Sequence, residues 1–296
     1  MSDLLTHWAV ADDCLRIAAK DAATDAALIA VADAERPYFY LGAITRYGSQ
    51  WSTEMQMLLR DVPAEDLSTP ATARKMAFAL GGIAHYPADL VLKPLMTRLA
   101  QADWNRTHHA MQAGEAGAVS VREISAYYDC HVFREVYGAG DQSPFNRFLL
   151  APNETSSGQA LESFVRSLFQ RALLACHTLA PDRNDFSGWL DRLIAQVQPL
   201  YLEIDLYTRV FQQPDPEKIA AFEVETSFYR RDDPAIVCAR AIAAGATPSQ
   251  EEIDAAVASS ANASGYGQAV ALGVRTLRAA SEYRRGEREE PPSLKQ

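Results

Sequence analysis

The sequence is poor in cysteine, in basic charge and in long apolar runs, and each shortage removes a class of protein. Its four cysteines, Cys14, Cys130, Cys176 and Cys238, are widely scattered. They form no CxxC pair, so neither a disulfide framework nor a cysteine zinc cluster is indicated. Lysine and arginine number 28 against 38 aspartates and glutamates, a net charge of −10. That balance argues against binding nucleic acid by phosphate neutralisation and against a basic membrane-surface patch. Arg230-Arg231 and Arg284-Arg285 are local exceptions and read as solvated helix ends. No run reaches the roughly 18 apolar residues of a membrane span. The opening MSDLLTHWAVADD has neither the basic nor the apolar region of a secretory signal. The expectation is a cytoplasmic protein with reduced thiols. The glycines make no GxGxxG or phosphate-binding loop, no serine sits in a GxSxG elbow, and no stretch alternates as a strand would.

What is present is helical periodicity. Of the 296 residues, 48% are hydrophobic, ample for a sizeable core, and they recur at helical spacing from residue 4 onward. Helices are expected over 4–20 and 22–34, in a short buried piece after the aromatic run Pro37-Tyr38-Phe39-Tyr40, and through Met55–Leu59. Thr69-Pro70 marks a helix start, with Thr to cap and Pro suited to the first turn. Ser120 to Glu123 is a capping-box pattern opening a helix through Tyr137. Later helices are expected at 158–179, 186–211, 216–228, 234–243, 248–259 and 266–283. Thr247-Pro248 repeats the Thr-Pro start, with Gln250 completing a capping box. His108-His109, beside Trp104 and Arg106, reads as a surface loop. The fold class is all-α. Residues 1–140 form one region, 141–284 add further helices packed on the same domain, and the charged, Pro-rich 285–296 reads as a disordered tail.

The chain is organised around Lys75–Ala100. This stretch reads as a buried helix carrying His85, Asp89 and Lys93 at four-residue spacing, one above another on a single face. Pro87 and Pro94 fall inside it and predict kinks near 83–87 and 90–94. A charged stripe in an apolar setting must be paired or bound to something. The imidazole and carboxylate are either two ligands of one metal ion or one satisfied hydrogen bond. His131/Glu135 repeats the His-x3-acid spacing on the next helix. With six His and 38 acids in the chain, roughly 1.5 such pairs arise by chance at helical spacing, so the count decides nothing by itself.

The order of the pieces is more specific. Thr6-His7 is followed by Leu41-Gly42-Ala43, then by Gly82-Ile83-Ala84-His85-Tyr86-Pro87-Ala88-Asp89, then by His131-Val132-Phe133-Arg134-Glu135. In that order the chain resembles the zinc-dependent phospholipase C family, whose helical scaffold is shared with the S1/P1-type nucleases. The resemblance covers about residues 4–140. It implies a multi-helix bundle with zinc ions in a cleft, hydrolysing phosphate esters by metal-activated water. It also implies that His7, His85, Asp89, His131 and Glu135 are metal ligands, with Asp89 as the central catalytic carboxylate.

The departures are as informative. Where the family carries a metal-binding Pro-Asp, this chain reads Ile44-Thr45-Arg46-Tyr47-Gly48. No His lies between His7 and His85, and the His of the family's His-Pro pair is Lys93, before Pro94. Three expected ligands are therefore missing, and Lys93 and Arg46 are candidate cations standing where metals would be. One ion is expected rather than three: zinc, with manganese or iron also compatible with these donors. Two functional readings stand. One is a metal-dependent hydrolase acting on a small phosphorylated substrate through a reduced site. The other is a pseudoenzyme that keeps the scaffold to bind a protein partner or small molecule. Beside both stands a blander reading, a plain helical interaction protein with accidental His pairs.

Overall fold

Every regular element among the described residues is a helix, as the missing strand alternation predicts. The computed structural model describes residues 4–45, 56–63, 65–112, 121–137, 163, 165–171, 183–212 and 224–293. In chain order the α-helices are α1 (Leu4–Ala18), α2 (Ala26–Ala34), α3 (Arg36–Ile44), α4 (56–61), α5 (Pro70–Gln112), α6 (Val121–Tyr137), α7 (165–171), α8 (Phe186–Gln212), α9 (Pro234–Ala243), α10 (Gln250–Ala258) and α11 (Gly265–Arg285). Short 3-10 turns occupy Glu65–Ser68 and Ser259–Asn262. No helix among them is long and apolar enough to cross a membrane.

The chain divides into two compact units. One comprises Met1–Leu5 and Thr107–Glu223, the other Thr6–Arg106 and Val224–Gln296. In the first, Asp129 of α6 is fully buried and is satisfied by two donors. It accepts from the backbone N–H of Leu5 at 3.2 Å and from the Tyr207 hydroxyl of α8. A buried carboxylate requires such partners.

The second unit holds the Lys75–Ala100 stretch. The helix runs through Pro87 and Pro94 and extends to Gln112. The prolines do not break it, because its apolar length is clasped by the core: Met76, Ala77, Leu80, Ile83, Ala84, Ala88, Leu92 and Met96 are all buried. His108 and His109, expected in a loop, lie on this helix. A close crossing with α3 sets the local geometry. A Cβ on Gly42 would stand 2.1 Å from the Phe78 carbonyl oxygen, and one on Gly81 would stand 2.0 Å from that of Phe39. Only glycine permits this backbone-to-backbone approach.

The same unit is pinned by a buried charge network centred on α1. Asp12 and Asp13 are both fully buried. Arg16 bridges the two, at 2.7 Å from each. Asp12 also pairs with Arg36 at 2.7 Å and accepts from the Tyr40 hydroxyl at 3.1 Å. Asp13 accepts from the Tyr266 hydroxyl at 2.8 Å and pairs with Arg240. One pair of adjacent carboxylates thereby ties α1 to α3, α9 and α11.

Several expectations change at element ends. The helix expected to reach residue 228 does not: residues 224–233 are irregular or turn. The Ser227 and Phe228 carbonyls accept the Gly265 and Tyr266 N–H groups at 2.8 and 2.9 Å, an arrangement that commits them to the start of α11 instead of a helix of their own. α10 is capped by Ser249, not Thr247. Its hydroxyl accepts from the Glu252 N–H at 3.2 Å while the Glu252 carboxylate accepts from the Ser249 N–H at 2.7 Å. Arg284 is not a solvated helix end: its side chain is 9% exposed and donates to the Leu59 and Val62 carbonyls. The chain beyond α11 turns at Gly286, which is left-handed at φ 74°, and remains against the unit as far as a buried Pro292. The Ser120–Glu123 cap and Arg46 lie outside the described residues or side chains.

Candidate metal centre

Three of the candidate residues converge: His85 and Asp89, marked by their spacing, and His7, marked by the order of motifs. His7 is 1% exposed and His85 7% exposed, and the Asp89 side chain is 20% exposed. Their ligand atoms all lie within 4.8 Å of one another. His7 comes from the first turn of α1, His85 and Asp89 from the middle of α5. The two imidazoles stack, with centroids 4.5 Å apart and planes inclined by 27°. His7 Nε2 stands 3.3 Å from Asp89 Oδ1.

The ring of His85 is held from behind. Its Nδ1 lies 2.7 Å from the Ala43 carbonyl oxygen. A carbonyl only accepts, so Nδ1 carries the proton, and in the neutral ring Nε2 keeps the lone pair. A backbone carbonyl behind the ring is the arrangement that orients a metal-ligating histidine. It exists here because the Gly42–Gly81 crossing brings the end of α3 onto α5.

Asp89 sits between an imidazole and an ammonium. Its Oδ1 faces His7, while Oδ2 is 3.4 Å from the Lys93 ammonium one turn along α5. Burial pulls the carboxyl upward. The hydrogen-bonding contact and charge of His7, then the charges of His85 and Lys93, outweigh that and hold it well below the usual carboxylate range. Tyr86, three residues before Asp89, has a buried hydroxyl with no hydrogen-bond partner among the described residues. Burial and the neighbouring Asp89 charge push that phenol up.

The donor set fits a zinc ion. Zinc takes imidazole nitrogen and carboxylate oxygen at about 2.0–2.2 Å, which places tetrahedral donors about 3.4 Å apart. The His7–Asp89 separation of 3.3 Å matches, and all three ligand atoms lie within 4.8 Å of one another. Two imidazoles and one carboxylate also suit manganese or iron(II).

His131 and Glu135 belong to the other unit, on α6. The Glu135 side chain is 9% exposed and 3.7 Å from Arg134 Nη2. Two features escaped the sequence reading. Tyr86 is legible afterwards as the i−3 neighbour of Asp89. The Asp12-Asp13 pair is legible as adjacent acids inside an otherwise apolar helix, but nothing in the sequence names Arg36 and Arg240 as their partners. Comparison with protein-family models, with curated proteins and with solved structures finds no match.

Proposed function

We propose that the protein is a metal-dependent hydrolase of phosphate esters with one divalent ion held by His7, His85 and Asp89. The observation that carries the reading is the convergence of these three ligand atoms, with the His85 tautomer set by the Ala43 carbonyl. An ion such as zinc supplies water activation near neutral pH and positive charge for a phosphoryl oxygen. The chain's own residues do the rest. Ala43 fixes the His85 ring, the stacked His7 ring stands against Asp89, and the burial of both imidazoles strengthens their interactions. The resemblance to zinc-dependent phospholipases C in the order of the His and Asp residues supports the same reading, with the ion count reduced from three to one.

One observation favours the second reading, an inactive scaffold that binds a partner: the Lys93 ammonium already stands 3.4 Å from Asp89 and could serve as the carboxylate's permanent counterion. Zinc titration by calorimetry, with elemental analysis of unchelated protein, separates the two. The hydrolase reading expects near one equivalent of metal, lost in His85→Ala and Asp89→Ala, and metal-dependent hydrolysis of a nitrophenyl phosphate ester. Absence of binding, with a melting temperature indifferent to chelator and to added zinc, would leave the inactive scaffold.

A further inference from the structure

We infer that Lys93 is the anion-binding residue of the His7/His85/Asp89 centre and selects dianionic phosphate monoesters over monoanionic diesters. The inference rests on the metal-site reading above. Lys93 occupies the position at which the resemblance would put a further histidine ligand, so its role has to be argued from this chain alone. Its ammonium is 3.4 Å from Asp89 Oδ2, on the opposite oxygen from the one that faces His7. The carboxylate can therefore serve the ion through Oδ1 without losing the lysine on Oδ2. The Lys93 side chain is 43% exposed, whereas the His7 side chain is 1% exposed. The lysine is thus the most exposed member of the group, ahead of Asp89 at 20%. An ammonium has three donors. One is directed at Asp89, and the exposure of the side chain lets a ligand arriving from solvent meet the ammonium. Lysine binds phosphate as a compact point charge and needs no bidentate geometry.

The sum of charges gives the substrate class. Among the described residues, the groups that bear most on Asp89 are His7, His85 and Lys93. With the two imidazoles neutral as ligands, a divalent ion and Asp89 leave one positive charge, and Lys93 raises it to two. A doubly positive site matches a phosphate monoester, which is a dianion above its second pKa of about 6. Without Lys93 the site would match a diester, which has one charge. Complementary charge raises both the encounter rate and the residence of the matching anion.

The test uses the full chain loaded with zinc, comparing wild type with Lys93→Met and Lys93→Arg. Zinc affinity is measured first, then affinity for inorganic phosphate at pH 8, both by calorimetry. Lys93→Met is expected to bind zinc at least as tightly as wild type, because the carboxylate loses a competing cation. It is expected to bind phosphate about tenfold more weakly, and Lys93→Arg to retain most of the phosphate affinity. Relative hydrolysis of nitrophenyl phosphate and methyl nitrophenyl phosphate should shift toward the diester in Lys93→Met. Zinc-loaded Lys93→Met that binds phosphate as wild type does would overturn the inference and leave the hydrolase reading standing. Loss of zinc along with phosphate would also overturn it, since Lys93 would then be holding the ligands in place. Wild type that binds no zinc would overturn the hydrolase reading, and this inference with it.

Discussion

At the scale of single residues, the centre depends on which atoms of two side chains are already occupied. His85 commits Nδ1 to a backbone carbonyl, which sets its tautomer. Asp89 divides its oxygens between an imidazole and an ammonium. Its folded pKa is held below the ordinary value of about 3.9. The sign follows directly. The stabilisation is complete well above pH 4, where the carboxyl is ionised folded or unfolded, and is lost as the pH falls through the lowered folded value. In chelator at pH 7, Asp89→Asn is therefore expected to melt a few degrees below wild type, the consequence of losing about 1–2 kcal/mol of charge-assisted contacts. Melting curves taken from pH 7 down to pH 3 should show the gap begin to narrow below about pH 4. A gap independent of pH would mean that the aspartate contributes shape and not charge. Cys14 and Cys130 illustrate the opposite case: complete burial and adjacent aspartates push both thiols up, which makes them packing residues and not nucleophiles.

At the scale of elements, the crossing of α3 with α5 decides whether the site exists. In an exposed helix interior, glycine to alanine gains up to about 1 kcal/mol. Gly81→Ala should do the reverse, because its Cβ would meet the Phe39 carbonyl oxygen at 2.0 Å and the two backbones would have to separate. We expect a loss of about 1–3 kcal/mol, read as a lower melting temperature. We also expect zinc affinity to fall about tenfold as the Ala43 carbonyl leaves His85. Destabilisation with unchanged zinc affinity would detach the carbonyl from metal binding. The network around Asp12 and Asp13 acts at the same scale. Paired buried charges contribute little net stability against apolar residues of the same shape, but losing one partner leaves an uncompensated buried charge. The network thus specifies how α1, and with it His7, docks against its neighbours.

At the scale of the whole molecule, the chain has two compact units, and the three converging residues all belong to the one formed by Thr6–Arg106 and Val224–Gln296. A ligand stabilises what it binds by mass action, about 2.7 kcal/mol at a hundred times its Kd. Scanning calorimetry with zinc at that excess should move the transition of this unit upward and leave that of the other where it was. Equal movement of all the heat absorbed would show that the two unfold together.

The sequence by itself determined that the chain is helical, because apolar period and the lack of strand alternation are local properties that each stretch carries alone. It also determined that His85, Asp89 and Lys93 share a face, since four-residue spacing on a helix leaves no alternative. It placed the cap of α10 two residues too early, although Ser249 and Glu252 carry a local capping box, and it extended a helix to 228, because backbone groups claimed by a distant element leave no local mark. The joining of His7 to His85 and Asp89 was expected from the order of motifs, but order carries no distance. Only the tertiary structure decided it, through two glycines that let α3 and α5 touch and a buried set of charges that holds α1 in place. The choice of one carboxylate oxygen for His7 and the other for Lys93 was likewise decided there, because it depends on the direction from which each side chain arrives.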